Sequence, residues 1–186
     1  MARLVYSMLA SLDGYVADES GDFTWAAPGE EVHGFINDLE RSVGTYLYGR
    51  RLYEVMAVWQ DFPDIEDEPD VVRDYAAIWQ SAGKVVHSTT LPSVTTPRTR
   101  LERSFDPVDV RDLVARLDRD VSIGGPTLAA HALRAGLVDD VHLFVVPVIV
   151  GGGTSCWPTG ARLAFELVAQ DRLTDDTVHL HYRARC

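Results

Sequence analysis

Short runs dominated by Val, Leu, Ile and Tyr recur along the chain at residues 4–10, 44–49, 84–87, 120–123 and 141–150. Strands buried on both faces read this way, because neither face needs a polar side chain. Between the runs the apolar spacing turns helical. Val32, Phe35, Ile36 and Leu39 share one face over 28–40, and Val110, Leu113, Val114 and Leu117 share one over 108–117. Residues 50–57, 71–81 and 127–135 also read as helices. Asp13-Gly14 separates the first strand from a short one at 15–17, and 23–28 reads as loop. Residues 61–70 hold six acids and two prolines, a surface loop, and 98–105 an extended edge segment. Pro126 opens a helix that Gly136 caps, and Gly151-Gly152-Gly153 forms a flexible turn. Residues 162–172 and 177–185 pair as a hairpin about Thr174-Asp175-Asp176. Strands alternating with helices, then a final hairpin, predict an α/β fold with a mostly parallel sheet and an antiparallel C-terminal edge.

Composition then limits the partners. The 186 residues fit one domain spanning 1–186, with no linker and no repeat. Seventeen basic residues, of which only Lys84 is lysine, face 28 acids for a net charge of −11. That charge repels phosphate backbones, which argues against nucleic acid or an anionic membrane as main partner. Two cysteines, Cys156 and Cys186, are too few for a disulfide framework or a Cys-based zinc site. Residues 1–10 carry one Arg and an apolar run of seven, a poor secretory signal, and the cytosol is the expected compartment.

No H-E-x-x-H, G-x-x-x-x-G-K or G-x-G-x-x-G occurs. Trp157 stands where a nucleophile elbow in Gly153-Thr154-Ser155-Cys156-Trp157 needs its second glycine. His179 and His181 share a strand face, with no Cys or acid nearby in the sequence to complete a metal site, so no metal is expected. The informative feature is a strand, then Gly124-Gly125-Pro126-Thr127, then a helix. A glycine pair admits close approach of a ligand, and the helix start offers free N–H groups and a positive dipole end. A tight turn without a ligand satisfies the same residues. Gly49-Arg50-Arg51 ends a second strand at the same carboxyl edge, an anion site or a solvated pair. His87-Ser88-Thr89-Thr90 ends a third. Ligands of open α/β sheets bind at that edge, so the coincidence favours a nucleotide.

Four ordered segments carry a family resemblance: residues 11–17 (SLDGYVA), 48–54 (YGRRLYE), 123–128 (IGGPTL) and 141–153 (VHLFVVPVIVGGG). Together they resemble the dihydrofolate reductase superfamily, in the branch of the C-terminal reductase domain of bacterial riboflavin biosynthesis. The resemblance implies a central sheet of about eight strands with helices on both faces, and NADPH across the carboxyl edge. On it, Arg50 and Arg51 with Ser88 and Thr89 hold the cofactor's 2′-phosphate. Leu52 replaces a usual Thr there. Gly124 and Gly125, running into Pro126 and Thr127, lie under the pyrophosphate and nicotinamide, and the backbone of Ala10 and Val16 lines the nicotinamide pocket.

Hydride transfer to a heterocycle also needs a proton. Trp25-Ala26-Ala27-Pro28-Gly29-Glu30 resembles the folate-reductase segment in which Trp and Pro precede a catalytic acid. Trp25 is therefore expected to contact substrate and Glu30, partly shielded beneath it, to supply the proton, with Asp13 as second candidate. Acids in a helix's first turn and an Asp-Gly turn are the plain alternatives. Tyr15 stands where the riboflavin branch has a basic residue, which favours a neutral pterin-like or pyrimidine-like substrate. The rival readings are reduction of the phosphoribosylamino-uracil intermediate of riboflavin synthesis, and a nucleotide-binding protein without turnover. A homodimer is expected, with residues 143–150 contributing to its interface.

Overall fold

Alternate residues of the first strand enter different cores. In β1 (Leu4–Ser11) the side chains of Leu4, Tyr6, Met8 and Ala10 face one layer, and Val5, Ser7 and Leu9 the other. Both sides are covered, which is why the run is almost continuously apolar. The computed structural model describes residues 1–61 and 68–185, so most of the acidic 61–70 loop lies outside them.

The main sheet joins β1 to β3 (Val43–Gly49), β4 (Gly83–His87), β5 (Thr99–Glu102), β6 (Asp120–Gly124), β7 (Asp140–Val146), β9 (Phe165–Arg172) and β10 (Val178–Ala184). Their order is β5-β4-β3-β6-β1-β7-β10-β9, parallel from β5 to β7 and antiparallel through β10 and β9. A small second sheet pairs β2 (Tyr15–Ala17) with β8 (Thr154–Ser155). Helices α4 (Pro107–Arg116) and α5 (Pro126–Arg134) pack on one face over Leu4, Tyr6, Met8, Leu47, Val85 and Ile123. Helices α1 (Glu30–Glu40) and α3 (Asp70–Ser81) cover the other, where Tyr46, Tyr48, Trp79 and Phe144 are buried. The short α2 (Arg50–Met56) follows β3 and is anchored by Tyr53, whose hydroxyl accepts from the N–H groups of Thr95 and Thr96.

Two expectations are corrected. The strand expected over 141–150 ends at Val146, because Pro147 has no N–H to continue the ladder. Within the expected 143–150 interface, residues 143–146 offer no open strand edge to a second copy. β7 is paired on both sides, to β1 and β10, and Phe144 is fully buried. Ile149, past the strand's end, is exposed, and a further group of exposed apolar residues lies on and beside the edge strand β9, at Leu163, Leu167, Val168 and Val178.

Candidate active site

Strand register gathers the candidate residues. Gly49 at the end of β3 pairs with His87 at the end of β4, and Tyr48 pairs with Gly124 at the end of β6. Arg50, Arg51, Ser88, Gly124, Gly125, Pro126 and Thr127 therefore share the carboxyl edge, and β1 carries Ala10 towards the same edge one strand further on. Gly125 has φ +86°, a backbone conformation that L side chains rarely adopt. It precedes α5 without any side-chain cap, so the N–H groups of the helix's first turn stay free. Leu52 lies over the glycine pair, and a Cβ on Gly124 would meet its Cδ2 at 2.4 Å.

The arginines differ. Arg50 is held to the surface by Glu54, at 2.8 Å, and donates to Thr90 Oγ1 at 3.2 Å. Thr89 and Thr90 are both exposed, and it is the Thr90 hydroxyl that Arg50 reaches. Ser88 Oγ accepts from the N–H groups of Thr90 and Leu91, which leaves its hydroxyl proton free to donate. Arg103, unforeseen on β5's far end, shapes this loop by donating to the carbonyls of Ser88, Leu91 and Pro92. Arg51 lines an open cleft of about 680 Å³ with Asp18, Glu19, Ser20, Gly21, Gly153 and Thr154.

β2 and β8 form a flap beside that cleft. Gly153 has φ +127°, and a Cβ there would sit 2.1 Å from the Ala17 carbonyl oxygen, so only glycine lets these segments pass. The triglycine turn is thereby pinned at one end. Val16 packs on the core beneath, and Cys156 is buried with the Tyr6 hydroxyl donating to its carbonyl at 2.9 Å. Asp13 ties the flap down: it accepts from Ser11 Oγ at 2.6 Å, Gly151 N at 2.8 Å and Val150 N at 3.2 Å. The Ser11 hydroxyl first, then those amides, hold its carboxyl below the ordinary range. Asp13 is a tether for the flap.

Trp25 sits half-buried in a single 3-10 turn, its indole N–H donating to the Asp22 carbonyl at 3.0 Å. Glu30 begins α1 as expected but is exposed, so the shielding expected under Trp25 is absent. The histidine expectation also changes. Neighbouring strands bring acids to both histidines, Asp171 to His179 and Asp140 to His181. Among the described residues no group of three or more His, Cys, Asp or Glu could hold a metal. No helix among them is long and apolar enough to cross a membrane.

The model of the RibD C-terminal domain matches residues 2–179. The chain belongs to the RibD C-terminal domain family. Similar to it is the uncharacterized protein YyaP of Bacillus subtilis (strain 168), 24% identical over 152 residues, 81% of this chain and 78% of that protein. In three dimensions it resembles a putative riboflavin biosynthesis protein from Shewanella sp. PV-4, with TM-score 0.77, 21% identity and 99% of each chain covered. It also resembles dihydrofolate reductase from Enterococcus faecalis complexed with NADP(H), with TM-score 0.64, 13% identity and 99% and 97% of the two chains covered. The RibD C-terminal fold is a reductase-type fold, and this member carries it through the whole sheet.

Proposed function

We propose that this RibD C-terminal family member is an NADPH-dependent reductase of a small, neutral pterin-like or pyrimidine-like heterocycle, acting as one cytoplasmic domain. The observation that carries the reading is the uncapped start of α5 behind Gly125, set beside Arg50 and Arg51 at the carboxyl edge. Backbone N–H groups and a dipole end suit a pyrophosphate, and two guanidinium groups suit a 2′-phosphate. NADPH, when bound, supplies the hydride. The protein's share is to hold the phosphates through Arg50, Arg51, Ser88, Thr89, the neighbouring Thr90 and the α5 start, and to present the substrate under the flap.

Glu30 is the proton candidate, because Asp13 is committed to the flap as an acceptor. Tyr15, standing where the riboflavin branch has a basic residue, supports a neutral heterocycle over a phosphoribosyl one. A homodimer, in this reading, forms through the open β9 edge and its exposed Leu167 and Val168.

Cofactor titration with NADPH and NADH tests the reading. Arg50→Ala combined with Arg51→Ala should weaken NADPH about ten- to a hundred-fold, from lost charge-assisted contacts. NADH should bind as before. Equal losses for both cofactors would remove the phosphate assignment.

A further inference from the structure

At the opposite, amino edge of the sheet, under the last turn of α1, lies a cavity of about 230 Å³. Its apolar wall is Val5, Leu39 and Val43, and its polar side groups include Glu40, His142 and His181. Glu40 is only 7% exposed, and its Oε2 has no hydrogen-bond partner among the described residues. The Tyr46 hydroxyl neighbours the Glu40 carboxyl and opposes the rise that burial causes, though neither oxygen has a partner at full hydrogen-bond distance. A buried, unmatched carboxylate oxygen is costly to keep, and here it borders a space large enough for a ligand.

The histidines add acceptors of defined identity. His179 Nδ1 lies 3.1 Å from Asp171 Oδ2, a carboxylate, so that nitrogen carries the proton and the neutral ring's Nε2 is bare. His142 Nδ1, 2.9 Å from that bare nitrogen, must then donate, which leaves the lone pair of His142 on Nε2. The same logic applies to His181, whose Nε2 lies 2.7 Å from Asp140 Oδ1, leaving Nδ1 as its lone-pair atom. Burial and the two neighbouring histidines keep His142 neutral, pushing it down to about 4. The cation at the cavity, Arg3, pairs through its guanidinium with Asp140 at 2.8 Å and more loosely with Asp120 at 3.5 Å, and both acids also border the space. Glu40, His142 and His181 therefore share the cavity with an apolar wall, and the Arg3 guanidinium that borders it is ion-paired.

We infer that this cavity is a second ligand site, for a small amphipathic amine whose ammonium group meets Glu40 and the bare nitrogen of His142 while its apolar body lies on Val5, Leu39 and Val43. Such an ion brings donors and a positive charge to these acceptors, and a matched alcohol brings one donor and no charge. The reading is independent of the NADPH site, since it uses neither the carboxyl edge nor the flap.

Benzylamine and benzyl alcohol, titrated into the full chain at pH 8 and followed by the ¹⁵N and ¹H signals of the histidine rings, form the test. Saturable benzylamine binding that moves the His142 and His181 signals, at least about tenfold tighter than the alcohol, is expected from one charge-assisted contact. Glu40→Gln should lose about that factor while melting as a folded protein. Equal binding of amine and alcohol, silent histidine rings, or undiminished binding by a folded Glu40→Gln variant would overturn the site. The unmodified protein offers a check without any variant. Long-range ¹⁵N–¹H couplings must place the His142 proton on Nδ1, and a proton on Nε2 would refute the acceptor lining.

Discussion

Gly124→Ala should disturb the glycine pair through a single contact, and a second substitution should relieve it. Gly124 has no positive φ, so the added methyl brings steric cost without backbone strain. Its Cβ would lie 2.4 Å from Leu52 Cδ2, and 3.1 and 3.2 Å from the ring edge of Tyr48. The Tyr48 contacts need a give of a few tenths of an ångström, but Leu52 must change rotamer. Overpacking of this kind costs roughly 1–3 kcal/mol. Lost freedom of the unfolded glycine offsets about 0.4–1 kcal/mol of it. A net loss of about 1–2 kcal/mol should lower the melting temperature by roughly 2–8 °C in a protein of this length. Leu52→Ala removes the clashing atom, so the double variant should be about 1 kcal/mol more stable than the sum of the single losses. Denaturant unfolding of the four proteins measures the cycle. Strict additivity would show that Leu52 does not lie over Gly124.

Other expectations follow from the buried charges and the site. Burial raises Glu40 to about 7, so its cost is absent below the unfolded value near 4.5, grows between there and about 7, and is complete above it. Glu40→Gln should stabilise the protein at pH 8 by roughly 3 kcal/mol and flatten the stability curve between about pH 4.5 and 7, as read by denaturant titration. Asp140 behaves in the opposite sense. Burial alone would raise it, but the His181 hydrogen bond and the charges of Arg3 and Arg183 hold it below its usual value. Its stabilisation is present above the unfolded value near pH 3.9 and is lost as pH falls through the lower folded one. Asp140→Asn should cost about 2–4 kcal/mol at pH 7, somewhat under a fully buried pair because Arg3 and Arg183 are half exposed. Glu30→Gln should slow single-turnover NADPH oxidation by roughly 10²–10⁴-fold if Glu30 supplies the proton, and an unchanged rate and pH profile would exclude it.

The parallel core was legible because it asks for one simple thing, apolar residues on both faces, and β1, β3 and α5 answer it in consecutive residues. The glycine pair and Gly136 were equally plain, since each marks a backbone need that few residues meet. What escaped depends on register between distant strands. Asp171 and Asp140 reach the histidines only because β10 lies between β7 and β9, an order that no local pattern encodes. The pairing of β2 with β8 joins segments about 140 residues apart over two or three residues each, too short to leave a period. Glu30 was placed correctly in the chain and wrongly in its environment. Position in a helix's first turn follows from sequence, whereas shielding depends on what packs above it.

Cys156 turns the flap into something that can be timed. Its thiol is 1% exposed, lies 3.8 Å from where a Cβ on Gly14 would be, and is raised by burial to about 11. A thiol-reactive electrophile in solution therefore modifies it only during moments when β2 and β8 lift away. With Cys186 replaced by serine, the rate of Cys156 modification becomes a stopwatch for flap opening. Any ligand that holds the flap shut should lengthen that interval in proportion to its occupancy, whether or not it is ever turned over.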